Sequence, residues 1–322
     1  MQAITQPTGF RRPFRDPSHR LIATALTVTA SAATPAWSLV IDNGTTNVID
    51  TTINDFIDVF DSDAGDPTTV TFNTGANITG FDSFDNSVYV DDSSVVVIND
   101  GTFAQDITGF TDASITINGG DLRDDVFAGD DVTLSITGGT IADNVEVVDR
   151  ANGTIIGGTI DDNLTAEDFG TIVVLGGDIG NDVESVGFGT LITLRGGTFG
   201  SDIEAADGGQ IDIFGGEIGL TGSFDNGIGA SSFSTIRVHG QDFTVNGVPV
   251  GFGPLSGTGG TLAGTLSDGS TFEMPYDRAR RNRFSPRGNI ILVDLPVPEP
   301  GSLALLAAGA VVVLRRAARR DR

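Results

Sequence analysis

Cysteine and lysine are both missing from this chain of 322 residues. The first absence rules out a disulfide scaffold, a thiolate nucleophile and any cysteine-based metal centre. The second leaves arginine as the only strong base, and arginine is unevenly placed. Between Leu39 and Asp277 the sequence holds only Arg123, Arg150, Arg195 and Arg237; five more crowd between Arg278 and Arg287, and the rest lie near the two ends. Against 43 acidic residues this gives a formal net charge of -25, and the stretch between the ends is more acidic still. Such a surface repels phosphate backbones, which excludes nucleic acid as a partner, and it attracts divalent cations. Histidine is scarce, with His239 alone in the body. No G-x-S-x-G elbow, phosphate-binding loop or zinc spacing occurs.

Long helix-forming runs are also lacking; the two extended apolar runs lie at the extremities. Arg11, Arg12, Arg15 and Arg20 precede an apolar segment from Leu21 to Ala33, followed by small residues around Ala36-Trp37-Ser38. These are the three zones of a secretory signal peptide, assigned to residues 1–38. Arg11-Arg12-Pro13-Phe14 has the flavour of a twin-arginine signal, but the polar gap from Asp16 to Arg20 argues against it. At the other end, Pro298-Glu299-Pro300 precedes an apolar run from Leu303 to Leu314, closed by Arg315, Arg316, Arg319 and Arg320. That order resembles the PEP-CTERM sorting signal read by exosortases in Gram-negative bacteria, with Pro298, Glu299, Pro300, Arg315 and Arg316 as its defining residues, over residues 296–322. The resemblance implies export, a C-terminal transmembrane segment before processing, and exosortase and the export machinery as partners. From Gly301 to Leu314 the run is shorter than the ~20 residues that span a bilayer comfortably, which suits transient membrane insertion. With arginines flanking both apolar segments, both ends start on the cytoplasmic side and everything between them is exported.

The exported part repeats. Gly-Gly pairs begin at 119, 138, 157, 176, 196 and 215, and Asp100-Gly101 lies one period upstream. A fixed period near twenty residues is the mark of a solenoid. Apolar residues keep register within it. Three positions after each pair begins come Leu122, Ile141, Ile160, Ile179, Phe199 and Ile218. Four before the next pair come Ile115, Leu134, Ile172, Ile192 and Ile211, with the series broken at Gly153. Alternation such as Thr133-Leu134-Ser135-Ile136-Thr137 predicts a short strand with one buried face, and the recurrent glycine opposes helix. The expectation is an all-β chain: a parallel β-helix of about 19-residue coils, three strands per coil, rising ~4.8 Å per coil. A single coil buries too few apolar side chains to offset the entropy of ordering it, so only the stacked array is stable and its ends need caps.

Four further segments follow from this. Residues 39–99 read as degenerate early coils, 100–240 as regular repeats, 241–295 as a β-rich C-terminal cap, and 296–322 as the sorting tail. Within the cap, Asn246-Gly247 and Asp268-Gly269 each sit between apolar runs, which is a hairpin signal. Arg278 to Arg287 reads as an exposed loop. The repeats, such as Gly138-Gly139-Thr140-Ile141-Ala142-Asp143-Asn144-Val145-Glu146, resemble those of PEP-CTERM proteins from polysaccharide-secreting bacteria. This second resemblance implies a surface or extracellular-matrix protein, with exopolysaccharide as a further partner, and carries over no catalytic residues.

The candidate chemistry lies in the polar columns. Asp124, Asp143, Asp162, Asn181 and Ser201 fall five positions after each Gly-Gly start, and Asp125, Asn144, Asn163, Asp182 and Asp202 fall six after. Two full charges ~4.8 Å apart repel by about 0.9 kcal/mol in water, so admixed asparagine makes the columns tolerable. These are turn residues that bond the backbone, or they are ligands for calcium, which takes six to eight oxygens. On the metal reading, the ligands are Asp124, Asp125, Asp143, Asp162, Asp182 and Asp202; no other cofactor is expected. The repeats-in-toxin spacing G-G-x-G-x-D is absent. Glu146, Glu184 and Glu204 form a third column that would suit a glycosidase if held 5–10 Å apart. A lyase on this scaffold would need cations to hold an acidic sugar, and the body has few. Phe56, Phe60, Phe72, Phe81, Phe84 and Phe110 either pack the early coils or line a sugar-binding surface. The functional expectation is an exported structural or adhesive protein without catalysis. A polysaccharide-active enzyme and a calcium-dependent adhesin are the alternatives.

Overall fold

The computed structural model describes residues 38–61, 66–218, 227–231, 233–278 and 288–294. All but Ser38 of the segment read as a signal peptide, the sorting tail with its apolar segment, and most of the Arg278–Arg287 loop lie outside these residues. Every regular element among them is a strand. None is a helix long and apolar enough to cross a membrane.

The strands form three parallel columns in which each pairs with its counterpart one coil away. The first column runs from Leu39–Ile41 through Val126–Ala128 and Val145–Val147 to Ile228–Ala230. The second runs from Thr46–Ile49 through Thr133–Ile136 and Asn152–Ile155 into Thr235–Val245. The third consists of nine two-residue strands, from Thr52–Ile53 to Glu217–Ile218, and so counts nine complete coils. Register fixes the period: Ile107 lies against Val126, Val126 against Val145, and Val145 against Leu164, each 19 residues on. One coil is a residue longer, because Thr171 pairs with Leu191 while Leu164 still pairs with Val183. The extra residue therefore sits in the turn between the first and second columns, at Gly187 to Thr190. The early coils differ through longer loops, so Ile57 pairs with Val88.

The in-register aliphatics point inward. Ile115, Leu134, Ile172, Ile192 and Ile211 are buried in one row, and Leu122, Ile141, Ile160, Ile179 and Phe199 in another. Of the early aromatics, Phe72 is core and packs edge-on against Phe103 at 5.1 Å between ring centroids. Phe60 and Phe110 join Tyr89 and Phe127 in a half-buried row along the first column, with centroids 6.0, 5.7 and 5.4 Å apart. Phe81 and Phe84 are exposed.

The Gly-Gly pair has two separate physical reasons. At Gly138 a Cβ would come within 2.5 Å of the Asn118 carbonyl oxygen in the coil below, so no side chain fits. Gly139 has φ +91°, a backbone region that L side chains rarely adopt. The break at Gly153 is a packing exchange. In the first column the inner position carries Gly109, Ala128, Val147, Ala166 and Ser185 in register. Val147 is the large member, and its Cγ2 would lie 3.0 Å from a Cβ on Gly153. The valine fills the space that the missing isoleucine leaves.

The C-terminal region closes the tube. Thr235–Val245 begins as the tenth strand of the second column, pairing Ile236 with Ile211. Its far edge is covered by Asn289–Asp294 in parallel register, and its second half pairs antiparallel with Gly259–Leu266. Both expected hairpins form. Thr244 pairs with Pro249 across Asn246 and Gly247, both at positive φ, and Thr265 pairs with Thr271 across Asp268-Gly269. Thr271–Asp277 also covers the last strand of the first column, Ile228 against Tyr276. Among the described residues, the last strands of the first and second columns are thus covered on their outer edges.

The Gly153–Val147 exchange yields a double-mutant cycle. Gly153→Ala should destabilise by about 1–3 kcal/mol through overpacking, and Val147→Ala by about 2 kcal/mol through a cavity. Chemical denaturation of the double variant should reveal favourable coupling of at least about 1 kcal/mol. Simple additivity would show that the two residues do not share one space.

Candidate functional site

The polar columns lie at the corner where each two-residue strand of the third column turns into the first. The chain runs Leu122-Arg123-Asp124-Asp125-Val126 through one such corner, and the apolar ends anchor it in the core. The second residue of each pair faces the coil above. Asp125 N–H donates to Asp106 Oδ1 at 3.2 Å, Asn144 N–H to Asp125 Oδ1 at 2.8 Å, and Asn163 N–H to Asn144 Oδ1 at 3.3 Å. Asp182 N–H donates to Asn163 Oδ1 at 3.1 Å, Asp202 N–H to Asp182 Oδ1 at 3.0 Å, and Gly227 N–H to Asp202 Oδ1 at 2.6 Å. An acceptor from one coil thus satisfies a backbone donor of the next along the whole corner. Asparagine serves as well as aspartate here, and the column carries both.

The first residue of each pair lies further out. Asp124 Oδ2 accepts from Gln105 Nε2 at 3.0 Å, Asp143 Oδ1 from Asn144 Nδ2 at 2.8 Å, and Asp162 Oδ1 from Asn181 Nδ2 at 2.7 Å. The columns converge most closely at Asp106, Asp124 and Asp125, where one carboxylate oxygen of each lies within 4.8 Å of the others. Crowding shows in their titration. Burial first, then the charges of Asp124, Asp125 and Asp85, push Asp106 up to about 7. Burial and Asp125 raise Asp124, and burial with Asp125 and Asp162 raises Asp143. Three carboxylates with the Gln105 side chain alongside form an oxygen-rich, half-buried set of the type hard divalent cations use.

Six residues were expected as calcium ligands. The structure brings Asp124 and Asp125 into one cluster and places Asp143 and Asp162 along the same outer column. Asp182 and Asp202 stand three and four coils beyond Asp125, outside the cluster, and each accepts from the backbone N–H one coil further on. The cluster's third member, Asp106, was not among those expected. It lies 19 residues before Asp125, so carrying the column back to the Asp100-Gly101 period reaches it. The sorting residues Pro298, Glu299, Pro300, Arg315 and Arg316 lie outside the described residues.

The glutamate column is discontinuous. Glu146 pairs in register with Thr165, Thr165 with Glu184, and Glu184 with Glu204. Glu184 and Glu204 are neighbours, whereas Glu146 stands two coils from Glu184. At the C-terminal end, His239 stacks on Phe214 at 3.9 Å, and the Arg195 guanidinium lies 4.5 Å above the ring centre of Phe214. His239 Nε2 is 3.6 Å from Asp212 Oδ1, which is too long for a hydrogen bond. Burial lowers the pKa of His239 against the pull of Asp212. The remaining arginines of the body are engaged: Arg123 with Asp121, Arg150 with Asp131 and Arg237 with Asp212.

Residues 296–320 match the PEP-CTERM protein-sorting motif. No curated protein and no solved structure matches the chain significantly. The motif is a sorting signal recognised by exosortase, so the chain is an exported protein whose C-terminal end is processed at the membrane.

The carboxylate corner predicts a pH dependence. A carboxyl group whose folded pKa is raised holds its proton more tightly when folded, so its stabilising effect is complete below the unfolded value and disappears as pH rises through the folded one. The melting temperature should therefore fall from about pH 4 up to about pH 7 as Asp106 ionises. Asp106→Asn keeps the acceptor for Asp125 N–H and should raise the melting temperature at pH 8 while flattening the profile. An unchanged profile in this variant would show that Asp106 is not the titrating group.

Proposed function

We propose that the mature protein is a structural or adhesive component of the cell surface or extracellular matrix and has no catalytic activity of its own. The observation that carries this reading is the union of an exosortase sorting motif with a nine-coil β-solenoid. The motif delivers the chain outside the cell, and the solenoid supplies a rigid rod with regularly spaced surface columns. Strong acidity keeps such a rod soluble and extended among neighbours. A polysaccharide lyase or glycosidase remains the competing reading. Against it stands the engagement of Arg123, Arg150 and Arg237 by aspartates, which leaves little positive charge to neutralise an acidic sugar.

Genetics and biochemistry together test this. Cells lacking the protein should lose surface or matrix cohesion, and the wild-type chain should restore it. A chain with Pro298, Glu299 and Pro300 replaced by alanine should be exported, retain its tail epitope and fail to restore cohesion. Release of reducing ends or unsaturated products from acidic or neutral polysaccharides by the purified protein would overturn the non-catalytic reading.

The Asp106, Asp124 and Asp125 cluster favours a second reading, in which the rod is calcium-stabilised. Under it, millimolar calcium at pH 8 raises the melting temperature by several degrees, and Asp124→Asn abolishes the rise. Equal melting temperatures with calcium and with chelator would dismiss a role for the ion.

A further inference from the structure

The corner between the first and second columns carries an aromatic strip that packing does not explain. Two residues before each second-column strand, the early coils place Ser93, Asp112, Asp131 and Arg150. These are polar and bond one another, Ser93 to Asp112 at 3.2 Å and Arg150 to Asp131 at 2.7 Å. In the later coils the same position holds Phe169, Gly189, Gly208 and Phe233. Phe169 is 61% exposed and Phe233 is 65% exposed. Both sit at positive φ, 77° and 68°, where a bulky side chain is an outlier and the glycines of the intervening coils are at ease. Phe188, 68% exposed, stands beside them in the one turn that carries an extra residue.

The glycines seat the rings. A Cβ on Gly189 would come within 2.3 Å of the Phe169 ring, and one on Gly208 within 2.4 Å of the Phe188 ring. The Phe169 and Phe188 rings thus lean along the axis over the next coil, and with Phe233 the three positions follow one edge across about three coil rises, roughly 14 Å. The chain accepts strained backbone and exposed apolar surface together at a corner that other coils build from polar residues. Neither feature adds to the core. An outlier of this kind points to recognition.

We propose that Phe169, Phe188 and Phe233 form a binding strip for a glycan strand that carries no acid groups. The inference rests on the reading that the protein works outside the cell. Aromatic faces suit the apolar C–H faces of sugar rings. The exposed carboxylates of Glu167, Asp168 and Asp207 flank the strip and accept hydrogen bonds from sugar hydroxyls. The same charges repel uronic acid polymers and anionic lipid surfaces. The strip is a single file of rings, far narrower than the ~800 Å² per partner of a stable protein interface. A thin, extended strand of repeating rings fits it.

The backbone geometry supplies a clean test. Glycine is the residue that neighbouring coils already use at this position, so Phe169→Gly and Phe233→Gly should preserve the fold or stabilise it, with Phe188→Ser completing the variant. Isothermal titration of the full chain would use a neutral β-glucan oligosaccharide, a chitin oligosaccharide and an alginate oligosaccharide. The wild type should bind the first two and not the alginate. The triple variant should keep its melting temperature and lose at least tenfold in affinity. Three results would each overturn the proposal: no binding of the neutral glycans by the wild type, equal binding by the variant, or alginate bound as tightly as the others. Light scattering covers the remaining occupant, since a wild-type dimer that the variant converts to monomer would make the strip a contact between copies. Failure here would leave export and processing untouched, because those are read by fractionation and by the tail epitope.

Discussion

Like stacks on like, one coil apart: every other property of this molecule follows from that constraint. Parallel backbone hydrogen bonds between coils hold each side chain ~4.8 Å from its counterparts above and below. An aliphatic column under this rule becomes a continuous core. A glycine column becomes a corner where coils approach to contact. A pure aspartate column would become a line of repulsion, and the chain avoids it by mixing in asparagine and by turning the acceptors toward backbone donors of the next coil. The exception at Asp106, Asp124 and Asp125 is where three carboxylates meet, and burial together with the neighbouring charges raises the titration of Asp106.

The same constraint divides labour between interior and surface. Inward positions tolerate only compensated change, as the exchange between Gly153 and Val147 illustrates. Outward positions are free to vary from coil to coil, so columns change character along the rod. One corner begins with Ser93 and Asp112 and ends with exposed phenylalanines; the first-column face begins with Tyr89 and Phe127 and continues with Glu146, Glu184 and Glu204. A rod of this kind presents different chemistry at its two ends without altering its fold. Export by an exosortase signal places that patterned rod outside the cell.

Much of this was legible in the sequence because the period is carried by residues with one physical meaning each. Glycine pairs mark close approach, isoleucine and valine mark the interior, and the Asn246-Gly247 pair marks a hairpin. The tail was legible for a different reason, as an ordered kink, apolar run and basic stop. Other features were hidden. Asp106 lies before the first Gly-Gly pair, so a reading keyed to those pairs stops short of it. The splitting of the aspartates into backbone acceptors and an outer column depends on which way each turn faces, which the alternation of Asp and Asn does not reveal. Phe169, Phe188 and Phe233 look like candidate core by composition. Only exposure, and at Phe169 and Phe233 a positive φ, separates them from Phe72, Phe103 and Phe199, which are buried.

The absence of cysteine makes the central claim directly measurable. Ser135 faces Thr154 one coil away, and Thr154 faces Val173 a further coil on. A disulfide needs Cα atoms within about 7 Å. Mild oxidation followed by non-reducing mass spectrometry should therefore find a bridge in Ser135→Cys/Thr154→Cys and none in Ser135→Cys/Val173→Cys. A bridge in the second pair with none in the first would contradict in-register stacking, and with it the columns on which this account rests.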